Sequence, residues 1–225
     1  SAFLGGNEEE LFRRPMNGMS PDEKLSWYWD DDGSDLLQQW LDASYSDLAF
    51  VPASGVMAPG EIFLHSNVAI EAVENVDGLK VRTAGDAGVV LARMGASTMF
   101  LPGGEIEVAM NTGVIDAFEY AGACVNWEMG CQDWADYVYL SDCRLAHEFA
   151  PLIVSKSLWE GLDQSTRNDL AEAGQQATSD ACTDLVAQDE ACLQQFRDYA
   201  GCDVHDLPES VEQEFTREAY AFYRD

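Results

Sequence analysis

Arg82 closes the run Gly78-Leu79-Lys80-Val81-Arg82-Thr83, an apolar strand that ends in a guanidinium in a chain otherwise short of positive charge. Downstream, Gly103-Gly104-Glu105 and Gly113-Val114-Ile115-Asp116-Ala117-Phe118-Glu119-Tyr120 set two carboxylates, Glu105 and Glu119, at fixed distances behind it. A guanidinium in so acidic a background is a natural anchor for a small carboxylate, which it can hold by two parallel hydrogen bonds. The competing reading is an ordinary strand-end arginine in a salt bridge. Glu105 opens a helix and reads as a helix-terminus residue rather than a ligand contact. His65, His147 and His205 are scattered, with neither a metal-binding spacing nor a recognisable triad.

Composition narrows the chemistry further. The 225 residues carry 41 Asp and Glu against 12 Lys and Arg, a formal net charge of −29, and the only lysines are Lys24, Lys80 and Lys156. Nucleic acid and anionic membrane surfaces are therefore poor partners, since both need a basic face. The acidity runs along the whole chain, which favours salt adaptation, in which screening removes much of the self-repulsion. A hydrophobic fraction of 47% is enough for a folded core. The six cysteines, Cys124, Cys131, Cys143, Cys182, Cys192 and Cys202, form no Cys-x-x-Cys pair. Residues ten apart on one helix lie about 15 Å apart along its axis, so any disulfide must join different segments. The other possibility is that some cysteines are free buried residues; at least one disulfide is expected, in an oxidising compartment. No apolar stretch reaches the ~20 residues needed to span a bilayer. No signal peptide is visible at Ser1, and the chain reads as a processed or trimmed product.

The elements that must position Arg82 and Glu119 alternate between strand and helix. Residues 1–20 read as loop or short helix, and helices start at Ser20-Pro21-Asp22-Glu23 and at Gly33-Ser34-Asp35. Strands are expected over 48–52, 61–65, 79–83, 98–101, 115–120, 137–140, 150–154 and 202–204, with a turn at Ala58-Pro59-Gly60. Helices are expected over 87–94, 105–111 and 127–134, then as one unusually long stretch from Gln164 to Tyr199 and again after Pro208. In the long stretch the apolar positions are Leu170, Ala173, Ala177, Ala181, Leu185, Cys192 and Phe196. This order predicts an α/β fold with a mostly parallel sheet. A helix of that length spans roughly 50 Å and can serve as a spine along two lobes. Trp27, Trp29 and Trp40 are expected to pack a lobe interface.

Several blocks together resemble the solute-binding proteins of tripartite ATP-independent periplasmic (TRAP) transporters. Val76-Asp77-Gly78-Leu79-Lys80-Val81-Arg82 resembles that family's "DLKGLKxR" segment, and Gly95-Ala96 with Leu101-Pro102-Gly103-Gly104-Glu105-Ile106 its "lGA…pGGEiY" block, with Glu107 where Tyr is usual. Ala109 to Glu119 is similar to "ALxxGxIDAxE", and Val154-Ser155-Lys156, Trp159 and Leu162 to "vNKxxWdxLp". The likeness runs from about Pro15 to the C-terminus. Glu119-Tyr120 resembles the Glu-Trp or Glu-Tyr pair of the subgroup that binds 2-oxo acids, lactate and related carboxylates, often with a cation.

The resemblance implies a periplasmic-binding-protein-like, two-lobed α/β fold with hinge-crossing strands and the long spine helix. It implies a remainder of lobe I over 1–60, mainly lobe II over 61–118, and crossing strands, spine and C-terminal helix over 119–225. Family members carry roughly a further lobe's worth of sequence before the point where Ser1 stands. The implied protein is not an enzyme. It is an extracytoplasmic (periplasmic or cell-surface) receptor that hands a small organic acid to a small and a large membrane subunit. Arg82, Glu119, Tyr120 and Phe63 become the expected ligand contacts, with Phe63 and Tyr120 as apolar walls. A ligand carboxylate beside Glu119 would be repelled unless a cation lies between them. Na+ or Ca2+ held by Glu119, the Tyr120 carbonyl and Glu61 answers that need without being an obligatory cofactor. The alternative from another class is a metal-assisted hydrolase or lyase built on Glu119 and Glu61, although no base–nucleophile pair accompanies them. A salt-adapted structural surface protein is a third option.

Overall fold

The structure, a computed structural model, describes residues 21–145 and 147–224. The loop or short helix expected over 1–20, and Ser20 as the first cap, lie outside these residues. In chain order the elements are α1 (Pro21–Asp30), α2 (Gly33–Ser44), β1 (Leu48–Pro59), β2 (Leu64–Ser66), β3 (Lys80–Arg82), α3 (Asp86–Arg93), β4 (Ser97–Met99), α4 (Ile106–Asn111) and β5 (Ala117–Phe118). They continue with α5 (Ala123–Met129), β6 (Tyr137–Leu140), β7 (His147–Ser155), α6 (Lys156–Gly161), α7 (Gln164–Asp198), β8 (Asp203–Asp206) and α8 (Glu209–Phe222). Short 3-10 turns at Val73–Asn75, Gly103–Glu105 and Cys131–Asp133 link them.

The chain divides into two units. One takes the sequence up to Pro59 together with His147–Ala187, and the other takes Gly60–Ala146 together with Gln188–Asp225. The chain passes between them at the end of β1, at the start of β7 and within α7. All the residues of the expected binding site fall in the second unit.

The first unit is built on β1 paired antiparallel with β7, from Leu48 opposite Ser155 to Pro59 opposite His147, with an irregularity between Phe50 and Gly55. Both strands run longer than their sequence suggests. Pro52 lies in the irregular stretch and Pro59 at the strand's end, where a missing N–H is tolerated. Trp27, Trp29 and Trp40 join Tyr28, Leu37, Leu41 and Phe50 in the core of this unit. These three tryptophans, expected at a lobe interface, thus contribute to the core of their own unit.

The second unit holds a six-stranded sheet in the order β4-β3-β5-β2-β6-β8. β3 is parallel to β4 and β5, β6 is parallel to β8, and β2 alone runs antiparallel to its neighbours β5 and β6. The expected mostly parallel sheet thus carries one reversed strand in its middle. One core side of this unit gathers Ile106, Met110, Ile115, Phe118 and Cys131, with Tyr120 and Trp134 packed against them. The other gathers Ile62, Val138, Phe196 and Cys202.

α7, 35 residues long, is the expected long helix, but its buried face is narrower than the apolar spacing suggested. Leu170, Ala173 and Ala177 are exposed, and the buried positions are Thr178, Cys182 and Phe196. Thr178 replaces an apolar contact with polar ones: its hydroxyl receives the Gly55 N–H at 3.0 Å and faces the Gly55 and Gly174 carbonyls at 2.9 and 2.7 Å. The expected disulfide joins Cys124, in α5, to Cys192, in α7, across 68 residues of sequence. Cys131, Cys143, Cys182 and Cys202 are not disulfide-bonded.

Candidate functional site: a guanidinium pair around Glu119

Parallel strands β3 and β5 end side by side, and the site lies just beyond their carboxyl ends, where open α/β sheets bind ligands. Register is set by Asp116. Its N–H donates to the Lys80 carbonyl at 2.8 Å, and its carboxylate receives the Lys80 N–H at 3.1 Å and pairs with the Lys80 ammonium at 3.0 Å. The two motifs that carry Arg82 and Glu119 are thereby locked together, and the Glu119 N–H donates to the Arg82 carbonyl at 3.1 Å.

Arg82 is 5% exposed. Its Nε donates to the Leu101 carbonyl at 2.9 Å and its Nη1 to the Glu119 carbonyl at 2.5 Å. The Phe100 and Tyr120 rings each lie 5.4 Å from its central carbon. Two carbonyls and two rings fix the plane of the guanidinium, and its Nη2 edge, which donates to no described residue, is the part left for a planar anion. Tyr120 owes its place to Gly103: a Cβ there would meet the Tyr120 ring at 2.7 Å and its hydroxyl at 2.8 Å. The first glycine of the Leu101-Pro102-Gly103-Gly104-Glu105 motif thus makes room for a site residue. Glu105 itself is exposed at the start of α4, as its helix-end position suggested.

Glu119 is 3% exposed and ionically paired on two sides. Its Oε1 accepts the Ala84 N–H at 2.6 Å and lies 3.7 Å from Arg82 Nη1. Its Oε2 lies 3.3 Å from Nη1 of Arg144. The same Arg144 nitrogen meets Glu61 Oε2 at 2.5 Å, and Arg144 Nη2 donates to the Ile62 carbonyl at 2.7 Å. Sequence reasoning missed Arg144, because Cys143-Arg144-Leu145 sits in no motif and its partners are 83 and 25 residues away. The strand expected over 61–65 begins only at Leu64, because the Glu61 and Ile62 N–H groups donate to the Leu145 and Ala121 carbonyls instead. That detour brings Glu61 and the Ile62 carbonyl to Arg144.

The remaining expected contact behaves differently. Phe63 is 2% exposed and lies edge-on to Phe215 at 5.4 Å, so its ring is a core element rather than a wall. Behind the site His65 is fully buried, stacked on Phe118 at 4.6 Å and bonded to the Asn126 amide at 3.0 Å. Burial, with a smaller contribution from the Arg144 charge, pushes its pKa down to about 3, so the ring is neutral.

A sodium or calcium ion needs several oxygen ligands. Of the three expected here, the Glu61 and Glu119 carboxylates already share Arg144. No group of three or more His, Cys, Asp or Glu side chains among the described residues could hold a metal ion. The space between Glu61 and Glu119 does not fit a resident cation, since a guanidinium fills it.

Comparison with known proteins agrees with this architecture. The chain is 27% identical over 145 residues to a monocarboxylate 2-oxoacid-binding periplasmic protein of Nostoc sp. PCC 7120, a match covering 64% of this chain and 39% of the relative. Among solved structures it is similar to a TRAP periplasmic solute-binding protein of Pseudoalteromonas atlantica with bound sodium and pyruvate, at a TM-score of 0.79 and 23% identity. It is also similar to one of Colwellia psychrerythraea with bound calcium and pyruvate, at 0.75 and 23%. Each match covers 91% of this chain and 61% of the solved one, so the chain spans less than two thirds of the length of these relatives. The model of the bacterial extracellular solute-binding proteins of family 7 (DctP) matches residues 18–225, and the chain belongs to that family.

Proposed function

We propose that this chain captures a small organic acid outside the cytoplasm and delivers it to the small and large membrane subunits of a TRAP-type transporter. The observation that carries the proposal is Arg82: a buried guanidinium, held in plane by two carbonyls, with its Nη2 edge left for a carboxylate. The ligand class follows from that edge together with the 2-oxo acid and pyruvate of the relatives. Tyr120 forms the apolar side of the contact and Glu119 holds both arginines in place. The hydrolase or lyase alternative lapses, because the family is one of binding proteins and Glu61 and Glu119 are tied to Arg144 rather than poised as acid and base. Periplasmic or cell-surface placement fits the family, and no described helix is long and apolar enough to cross a membrane. The sodium and calcium found with pyruvate in the two solved neighbours belong to those proteins. The present reading requires no ion, and one bound here would rest on the ligand's own oxygens and the Tyr120 carbonyl. Salt adaptation is part of the same proposal, since the −29 charge lies over the whole chain.

A thermal-shift series with pyruvate, lactate, malonate and glucuronate tests this reading. One or more of the acids should raise the melting temperature in proportion to the logarithm of its concentration, with no product formed on incubation. No shift with any small carboxylate, or turnover of one of them, would contradict it.

A further inference from the structure

Arg144 lies outside every motif, yet it meets both carboxylates of the site. It is 7% exposed and bridges Glu61 and Glu119 through one nitrogen, with the Ile62 carbonyl on the other. Its third nitrogen is different: the Nε–H is buried and has no hydrogen-bond partner among the described residues. A buried guanidinium donor left without an acceptor is costly and points to an acceptor supplied from elsewhere. Among the described residues two guanidinium charges here face two carboxylate charges, so a bound acid leaves one negative charge in excess. Without Arg144 the excess among these described groups would double, a ligand carboxylate joining Glu119 and Glu61 opposite the Arg82 charge, and that is the surplus an added cation would offset.

We propose that Arg144 is the built-in cation of this site, a binding residue that takes the charge role of a bridging metal ion between Glu61 and Glu119 and offers its Nε–H to an oxygen of the bound acid. This inference rests on the carboxylate-binding reading given above. It makes acid binding independent of sodium and calcium.

Calorimetric titration of pyruvate into the chelator-treated full chain tests the idea, in choline chloride and then in sodium chloride or calcium chloride at equal ionic strength. Affinity should change by no more than about threefold between these buffers, whereas Arg144→Gln should weaken metal-free binding by about tenfold or more. Added Na+ or Ca2+ should recover part of that loss, because the variant removes the guanidinium that the two carboxylates share. Arg144→Lys, which keeps the charge but lacks the Nε donor, should stay ion-independent with intermediate affinity. Melting curves identify any variant that fails to fold, and the ion series on the unaltered chain stands without variants. Pyruvate binding that appears only with sodium or calcium would overturn the role of Arg144 while leaving the carboxylate reading intact. Native affinity in Arg144→Gln would do the same. No pyruvate binding in any buffer would overturn both.

Discussion

At the residue scale the account turns on how one carboxylate is shared. Glu119 touches Arg82, Arg144 and the Ala84 N–H, all in a buried setting. Removing its charge leaves two guanidiniums competing for Glu61 and for backbone carbonyls. Glu119→Gln should therefore lower stability by about 3 kcal/mol in urea denaturation and weaken acid binding, through loss of positioning at Arg82. A variant as stable as the parent would mean that Glu119 is an ordinary strand-end carboxylate. His65 provides a second test. Its pKa is pushed down to about 3 by burial, then by Arg144, whereas the unfolded chain titrates near 6.5. Between those values the unfolded state binds the extra proton, so folding stability is full above about pH 6.5 and falls as pH drops toward 3, by up to about 1.4 kcal/mol per pH unit. His147, pushed down to about 4 by burial and then by Lys24, adds a slope of the same sign. Stability measured against pH in the parent and in His65→Phe should show a shallower acid slope in the variant. Identical slopes would remove His65 from the account.

At the scale of elements, the motifs in the sequence are the parts of the site that a local stretch of chain can encode. Gly95 takes a left-handed φ of +99°, and a Cβ there would meet Asp77 Oδ1 at 2.5 Å, which explains a glycine in Gly95-Ala96 by geometry alone. Gly103 lies under the Tyr120 ring in the same way. Gly103→Ala should push the ring off its position over Arg82, weakening acid binding several-fold, about 1 kcal/mol, with little change in melting temperature. Calorimetry on that variant would count against the arrangement if affinity were unchanged. Arg82, Glu119, Tyr120 and the alternating elements were all legible, because strand ends and glycine turns leave local signals. Arg144 was not, because a residue in an irregular segment that finds Glu61 and Glu119 by long-range packing leaves none. Phe63 was misplaced for a related reason, since an aromatic residue near a strand reads the same whether it lines a site or packs on α8. The antiparallel course of β2 and the full length of β1 and β7 likewise depend on pairing partners distant in sequence.

At the scale of the whole molecule, charge is the dominant fact. A chain with −29 formal charges compacts against its own repulsion, and added salt screens that repulsion over about 3 Å at molar ionic strength. The melting temperature should therefore climb from low to molar sodium chloride. A flat profile would contradict salt adaptation and leave the acidity unexplained. The same background makes the arginine pair conspicuous, because a small anion entering so negative a protein needs a fixed, desolvated positive edge to hold it.

That edge belongs to Arg82, and the most direct measurement is calorimetric titration of pyruvate into the parent chain and into Arg82→Ala, with melting curves to show that both fold. The account predicts saturable 1:1 binding in the parent and a loss of about 2–5 kcal/mol of binding energy in the variant, enough to abolish detectable heat. Equal affinity in a folded Arg82→Ala protein would contradict the central claim that this buried guanidinium is the carboxylate anchor.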